Sequence, residues 1–370
     1  MSDARKVVIL AGAGCTFSDA SKASARQRPP LDKKFFSECL KSGDNEVIER
    51  VNRIAEYMQN KYKTSIFHEE VDSLEQVMSR LYVDIFSRTL EDEALPTFRD
   101  LVRAYNARLA ETTNNLNPTP RSRLFRILDY FLDGMETRVE LKNITIITFN
   151  QDLQIEKTLN RLQNAPKYRK RMNLFNFPYC YSIPRDSYVV TRPHEDVERF
   201  EGRRGLNEDS ITILKLHGSL NWFSNHKSPD IPLSSMFNPK RKLYITPRKT
   251  IAELTYTSAK RSWYTFPIIV PPVAHKSAIF HDVLQPIWEI AEDKLRTATT
   301  ILIFGYSCPV FDQESTNLIQ RSVRENIARG NLKDLTIIDP NPDIIRRYME
   351  ITDSEKIYYY RLADIFLDAP

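Results

Sequence analysis

Six short apolar runs govern what this chain of 370 residues can fold into. They are Lys6–Ala11 (KVVILA), Ile144–Thr148 (ITIIT), Ile211–Leu216 (ITILKL), Ile268–Val270, Ile301–Phe304 (ILIF) and Leu335–Asp339 (LTIID). Each is rich in Ile, Val or Leu and is bounded by polar or turn-forming residues. Runs this short, apolar throughout rather than alternating, mark strands of a parallel sheet buried on both faces. Helical patterns separate several of them. The expected fold is therefore α/β: a Rossmann-like, mostly parallel sheet with helices on both faces.

The alternation is broken early. Between the first run and the second, the pattern turns helical. In Glu46–Tyr62, residues Val47, Val51, Ile54, Ala55 and Met58 share one face. Val71–Leu90 repeats this with Leu74, Val77, Met78, Leu81 and Ile85, and Ser73-x-x-Gln76 has the form of a capping box. Leu95–Leu109 and Leu124–Leu132 continue the theme, while the polar stretch Glu111–Arg121 reads as a loop. Residues 31–135 are thus expected to form a large helical insertion in a core made of 1–30 plus 136–370. Within that core, 163–209 and 225–264 read as irregular insertions with short strands.

Composition narrows the function. The four cysteines, Cys15, Cys39, Cys180 and Cys308, form no C-x-x-C pair, so no zinc ribbon or disulfide framework is expected, and no metal. Nowhere are there the roughly 18–20 continuous apolar residues of a membrane helix. The first residues, MSDARKVVIL, pass straight into a strand pattern, which predicts no secretory leader and a cytoplasmic location. The net charge of +5, from 53 basic and 48 acidic residues, suits an anionic dinucleotide. Clusters such as Lys167–Arg171 and Lys240–Lys242 read as solvated surface, so direct nucleic-acid binding is not expected.

Five strand ends carry polar or glycine motifs. Gly12-Ala13-Gly14 follows the first strand; a Gly-x-Gly turn lets backbone approach a pyrophosphate, though a plain tight turn has the same sequence. Phe17 stands where the third glycine of G-x-G-x-x-G would be, and no ribose-binding acid ends a clean second strand, so an ordinary dehydrogenase fits poorly. Thr148-Phe149-Asn150-Gln151-Asp152 ends the second run; Asn150 and Asp152 are placed to meet a ligand or to cap the next helix. Lys215-Leu216-His217-Gly218-Ser219-Leu220-Asn221-Trp222 ends another run in a histidine, a residue suited to general-base work near neutral pH. Gly305-Tyr306-Ser307 and Asp339-Pro340-Asn341 end the last two, either as turn chemistry or as phosphate and ribose contacts.

In this order, G-A-G, T-x-N-x-D, L-H-G-S-L-N-W, G-Y-S and D-P-N resemble the sirtuin-like (Sir2-type) NAD-consuming family, in particular its bacterial antiphage-defence branch. The resemblance covers about 1–20, 143–160, 211–223 and 267–345. It implies NAD as substrate, with Gly12, Ala13, Gly14, Gly305 and Ser307 along the phosphates and Asp339 and Asn341 toward the adenosine ribose. It also implies Asn150, Asp152 and His217 as catalytic residues at the nicotinamide ribose. The zinc cysteines and the G-I-P-D-F-R segment of protein deacylases are missing. The expected activity is therefore NAD glycohydrolysis, releasing nicotinamide and ADP-ribose in a self-sacrificing antiviral response. An NAD-dependent deacylase and a catalytically silent NAD or ADP-ribose sensor are the alternatives. The resemblance further implies a homo-oligomer, or a partner such as a HerA-type ATPase or a short Argonaute, with residues 31–135 as the contact surface.

Overall fold

A computed structural model describes residues 5–20, 29, 34–67, 73–86, 91–133, 141–168, 174, 177, 179–183, 188–190, 210–226, 243–245, 255–258, 261–270, 281–309 and 312–367. Its centre is a six-stranded sheet, every pair parallel, built from β1 (Val7–Ala11), β2 (Ile144–Thr148), β4 (Thr212–Lys215), β9 (Thr300–Phe304), β10 (Asp334–Ile338) and β11 (Tyr358–Tyr360). The order across the sheet is β11-β10-β9-β1-β2-β4. β1, β2 and β9 are buried along their whole length, as their unbroken apolar sequences require.

The chain runs from β1 through β2 to β4 on one side, then returns across β1 to β9, β10 and β11. Because parallel crossovers are almost always right-handed, a chain that reverses direction in this way carries the helices of its two legs on opposite faces of the sheet. On the first leg, α6 (Arg123–Leu132) packs with α1 (Ala13–Asp19) and with α7 (Gln154–Gln163); on the return, α8 (His281–Thr297) packs with α9 (Gln313–Ala328), which packs with α10 (Asp343–Thr352). The final helix, α11 (Ala363–Leu367), closes back on α6, where Phe366 meets Tyr130 and Phe131.

Between α1 and α6 lie α2 (Phe35–Cys39), α3 (Asn45–Tyr62), α4 (Leu74–Phe86) and α5 (Glu91–Asn115). Asp44 starts α3 by accepting the Glu46 N–H at 2.9 Å, and Lys63 ends it in a left-handed conformation. The capping box of α4 is reciprocal: Ser73 N–H donates to Gln76 Oε1 at 2.9 Å, and Gln76 N–H to Ser73 Oγ at 3.3 Å. The polar stretch after Leu109 departs from expectation. It begins as helix, through Asn115; within it the Thr112 hydroxyl donates back to Arg108 O and Leu109 O, and both Thr112 and Thr113 are buried.

A second correction concerns Ile268–Val270. Ile268 and Ile269 end β8 (Arg261–Ile269) and Val270 follows it, in a separate sheet ordered β3-β6-β5-β8-β7. Its other strands are β3 (Tyr188–Val190), β5 (Gly218–His226), β6 (Leu243–Ile245) and β7 (Thr255–Ser258). β5 and β8 are antiparallel. Leu220, Trp222, Ile245 and Ile268 are fully buried and join the same apolar core as the parallel sheet. Much of 163–209 and 225–264 lies outside the described residues.

Candidate functional site

The parallel register draws one line across five strands. Lys215 pairs with Thr148, Thr148 with Ala11, Ala11 with Phe304, and Phe304 with Ile338. Every motif residue singled out in the sequence follows that line at the carboxyl ends: His217 after β4, Asn150 after β2, Gly12 to Gly14 after β1, Gly305 to Ser307 after β9, Asp339 and Asn341 after β10. Four inter-strand spacings of about 4.8 Å make an edge of about 19 Å, the scale of an extended dinucleotide. Because the chain reverses direction at β1, the topological switch lies between β1 and β9, where open α/β sheets bind ligands.

At that switch the glycines pack on one another. Gly14 N–H donates to Gly305 O at 2.9 Å and Gly12 N–H to Phe304 O at 3.1 Å. A Cβ on Gly12 would stand 2.5 Å from Gly305 O, and one on Gly305, whose φ is +61°, would stand 2.3 Å from Cys15 N. No side chain fits this contact. It also means that two N–H groups expected to face phosphate are used within the protein, while Ala13 and Ser307 are exposed.

Asn150 is tied to the same turn. Its Nδ2 donates to Gly12 O at 2.8 Å and to Thr16 Oγ1 at 3.1 Å, and its own N–H donates to Thr148 Oγ1 at 3.0 Å. Both amide protons are therefore occupied, and Oδ1 is the end left to act as an acceptor. Asp152 accepts the Thr16 hydroxyl at 2.9 Å on Oδ2 and the Gln154 N–H at 2.9 Å on Oδ1, which starts α7. Of the two expectations for Asp152, the one the contacts bear on is the capping role, through Gln154 N–H at the start of α7; its other oxygen ties α1 through Thr16.

His217 stands at the joint between the two sheets. Gly218, at φ +75°, turns the chain from β4 into β5 so tightly that a Cβ there would lie 2.1 Å from Ile268 O. Val270 N–H then donates to His217 O at 2.8 Å, and Gln151 Nε2 to Val270 O at 3.2 Å, which links the histidine backbone to the Asn150 segment. The imidazole is almost fully buried. Phe149 meets it edge-on at 5.5 Å, and Trp288 of α8 flanks it at 6.3 Å while donating Nε1–H to Leu216 O at 3.0 Å. Its Nε2 is 3.6 Å from Asp312 Oδ2.

Several neighbours of this histidine go beyond the roles expected from the motifs. Tyr306 stacks on Phe149 at 3.8 Å and donates its hydroxyl to Asp312 Oδ2 at 3.0 Å. Burial, and then the Asp312 charge, push the Tyr306 phenol well above its ordinary range, so it remains a donor. Beneath His217, the wholly buried Lys215 reaches Glu156 Oε1 at 3.0 Å and the Asp152 carbonyl. Tyr181 donates to the same Glu156 oxygen at 3.0 Å and accepts from Asn221 Nδ2 at 3.2 Å. This network pins β4 to α7 and to the second sheet.

At the far end, Asp339 Oδ1 accepts Asn341 N–H at 2.9 Å, and Asn341 Oδ1 accepts Asp343 N–H at 3.1 Å. Burial raises the Asp339 carboxyl above its ordinary range, against the opposing pull of the Asn341 N–H. Among the described residues, no group of three or more His, Cys, Asp or Glu side chains is arranged to hold a metal, and no helix is long and apolar enough to cross a membrane.

No protein-family model matches the chain, and no curated protein matches it. Among solved structures, it is similar to a triple mutant of a Sir2 homologue in complex with 2'-O-acetyl ADP-ribose, at 14% identity and a TM-score of 0.45, covering 99% of this chain and 90% of that one. It is also similar to a Sir2 homologue–NAD complex, at 12% identity and a TM-score of 0.41, over 98% and 86% of the two chains. A Sir2–p53 peptide–NAD+ structure gives 12% identity and a TM-score of 0.38, over 99% and 91%. These scores lie below one half, a likeness too loose to carry residue roles.

Proposed function

We propose that the chain binds NAD along the carboxyl edge of the parallel sheet and hydrolyses its nicotinamide–ribose bond. The observation that carries this reading is the single register line, which sets Asn150 and His217 two residues beyond paired positions of adjacent strands, Thr148 and Lys215. The order of the five motifs, with its resemblance to the sirtuin-like family, supplies the substrate.

In this reading the dinucleotide spans the edge. Ala13 and Ser307 meet the phosphates at the switch, where the Gly12, Gly14 and Gly305 contact brings backbone close. Asp339 and Asn341 mark the adenosine end. Nicotinamide departs as a neutral pyridine from a cationic pyridinium, so the site has little need of an acid. Positive charge grows on the ribose, and water attacks the sugar carbon. Asn150 Oδ1 accepts a hydrogen bond from that water or from the nicotinamide carboxamide, Asp152 holds the Asn150 turn through Thr16, and His217 takes the water proton. The products are nicotinamide and ADP-ribose.

The missing zinc cysteines disfavour deacylation. A silent NAD or ADP-ribose sensor is the second reading, favoured by one observation: both Asn150 amide protons are already spent on Gly12 and Thr16. Etheno-NAD cleavage separates the two. Fluorescence release by the wild type, lowered about 10²–10⁴-fold in His217→Ala and about 10²–10³-fold in Asn150→Ala, supports hydrolysis. Tight binding with no turnover identifies the sensor. We further propose, from the resemblance, that the activity serves antiphage NAD depletion and is released by self-assembly or by a partner such as a HerA-type ATPase or short Argonaute. Light scattering across concentrations reads the self-assembly directly.

A further inference from the structure

The Asp312 carboxylate lies in the core for a reason that helix capping does not supply. Asp312 precedes α9 at the N-cap position, yet its side chain accepts no backbone N–H of that helix. Its oxygens go elsewhere: Oδ1 accepts the Ser315 hydroxyl at 2.7 Å, Oδ2 accepts the Tyr306 hydroxyl at 3.0 Å, and Oδ2 is 3.6 Å from His217 Nε2. The residue is 4% exposed. A buried carboxylate is costly to keep ionised unless partners meet its charge. Two hydroxyls clamp this one in a fixed orientation facing the imidazole.

We infer that Asp312 is the positioning residue for His217: it selects the Nε2–H tautomer, which leaves Nδ1 as the nitrogen that accepts a proton. A carboxylate beside one imidazole nitrogen fixes the proton there and frees the lone pair of the other. It also attracts the imidazolium formed once Nδ1 has taken a proton. At 3.6 Å the contact is an ion-pair separation rather than a finished hydrogen bond, and catalytic contacts of this kind shorten when substrate fills the site. Tyr306 completes the arrangement. Its ring stacks on Phe149, which itself meets the His217 ring, and its hydroxyl holds Asp312, so one residue sets both the carboxylate and the aromatic wall. Arg or Lys in place of this carboxylate would repel the charged imidazole; Asn would keep the size and, with one hydroxyl turned to accept from the amide nitrogen, the contacts, while removing the charge.

This inference rests on the hydrolase reading only in its catalytic half, and the test separates the two. Nitrogen-15 histidine spectra resolve the tautomer of each imidazole, and comparison with His217→Gln assigns one of the six histidines. Wild type is expected to show His217 with its proton on Nε2. In Asp312→Asn, with circular dichroism unchanged, that preference is lost and kcat for etheno-NAD falls on the order of 10²-fold while KM moves less than about threefold. A wild-type proton on Nδ1, or an Asp312→Asn protein with unaltered spectrum or unaltered kcat, overturns the assignment. Absence of any turnover in wild type would instead remove the hydrolase reading, while the spectra still decide whether Asp312 sets the His217 tautomer.

Discussion

The two halves of the carboxyl edge are built on opposite terms. On the β1–β9 side, Gly12, Gly14 and Gly305 touch backbone to backbone, and function there is a matter of having nothing at Cβ. On the β2–β4 side, Asn150, Asp152, Lys215 and His217 fill the space with polar side chains, each held by a partner. In the proposed reading, the first half positions the dinucleotide by shape and the second acts on it. Substitutions should therefore separate: in the glycine half they remove the fold and activity together, and in the polar half they remove activity with the fold retained.

Lys215 is the strongest challenge to that division, because it belongs to the polar half yet is wholly buried against Glu156. Lys215→Met leaves the Glu156 carboxylate without its cation, and stability is expected to fall by about 3–5 kcal/mol, read by urea denaturation. A loss near zero would mean that the network beneath His217 is dispensable. Gly305→Ala tests the other half. A left-handed φ costs about 1–3 kcal/mol, and the Cβ overlap with Cys15 N adds to it, so a loss of at least about 3 kcal/mol is expected in the same assay. Wild-type stability in that variant would show that the two turns can separate freely.

A smaller effect tests where α1 is anchored. Asp19 accepts the Arg123 and Leu124 N–H groups at 2.6 and 3.4 Å and so caps α6 from a distance. Burial raises its carboxyl to about 6, against the lowering effect of those N–H groups and of the Arg123 charge. Since the folded state holds this proton more tightly than the unfolded chain, with its usual carboxyl near 4, the stability it contributes is present below about pH 4 and is lost as pH rises through about 6. Thermal unfolding between pH 4 and 7 should show that decline in wild type, and Asp19→Asn should flatten it. An unchanged slope in the variant would place the titration elsewhere.

The sequence foretold the line of the site better than its surroundings. Five of the six apolar runs became adjacent parallel strands, because burial on both faces leaves an unmistakable pattern. Ile268–Val270 did not, since three apolar residues carry no period and the strand that finishes at Ile269, β8, pairs antiparallel with β5. β11 escaped notice because Tyr358–Tyr360 is only partly buried and stands at the edge of the sheet. The helix through Thr112 and Thr113 looked like a loop because threonine and asparagine hydrogen-bond local backbone and so favour turns; here the Thr112 hydroxyl bonds back within the helix instead. Asn150, Asp152 and His217 were legible as polar residues at strand ends. Asp312 was not, because its partner lies 95 positions earlier in the chain and only the fold brings them together.

The central claim is a shared target for Asn150 and His217, and a structure of the His217→Ala variant with NAD bound tests it most directly. The account predicts the nicotinamide-bearing sugar carbon between Asn150 Oδ1 and the vacated imidazole position, with the phosphates beside Ala13 and Ser307 and the adenosine toward Asp339. NAD bound away from this edge, or lying along it with the adenine at Asn150, would contradict it.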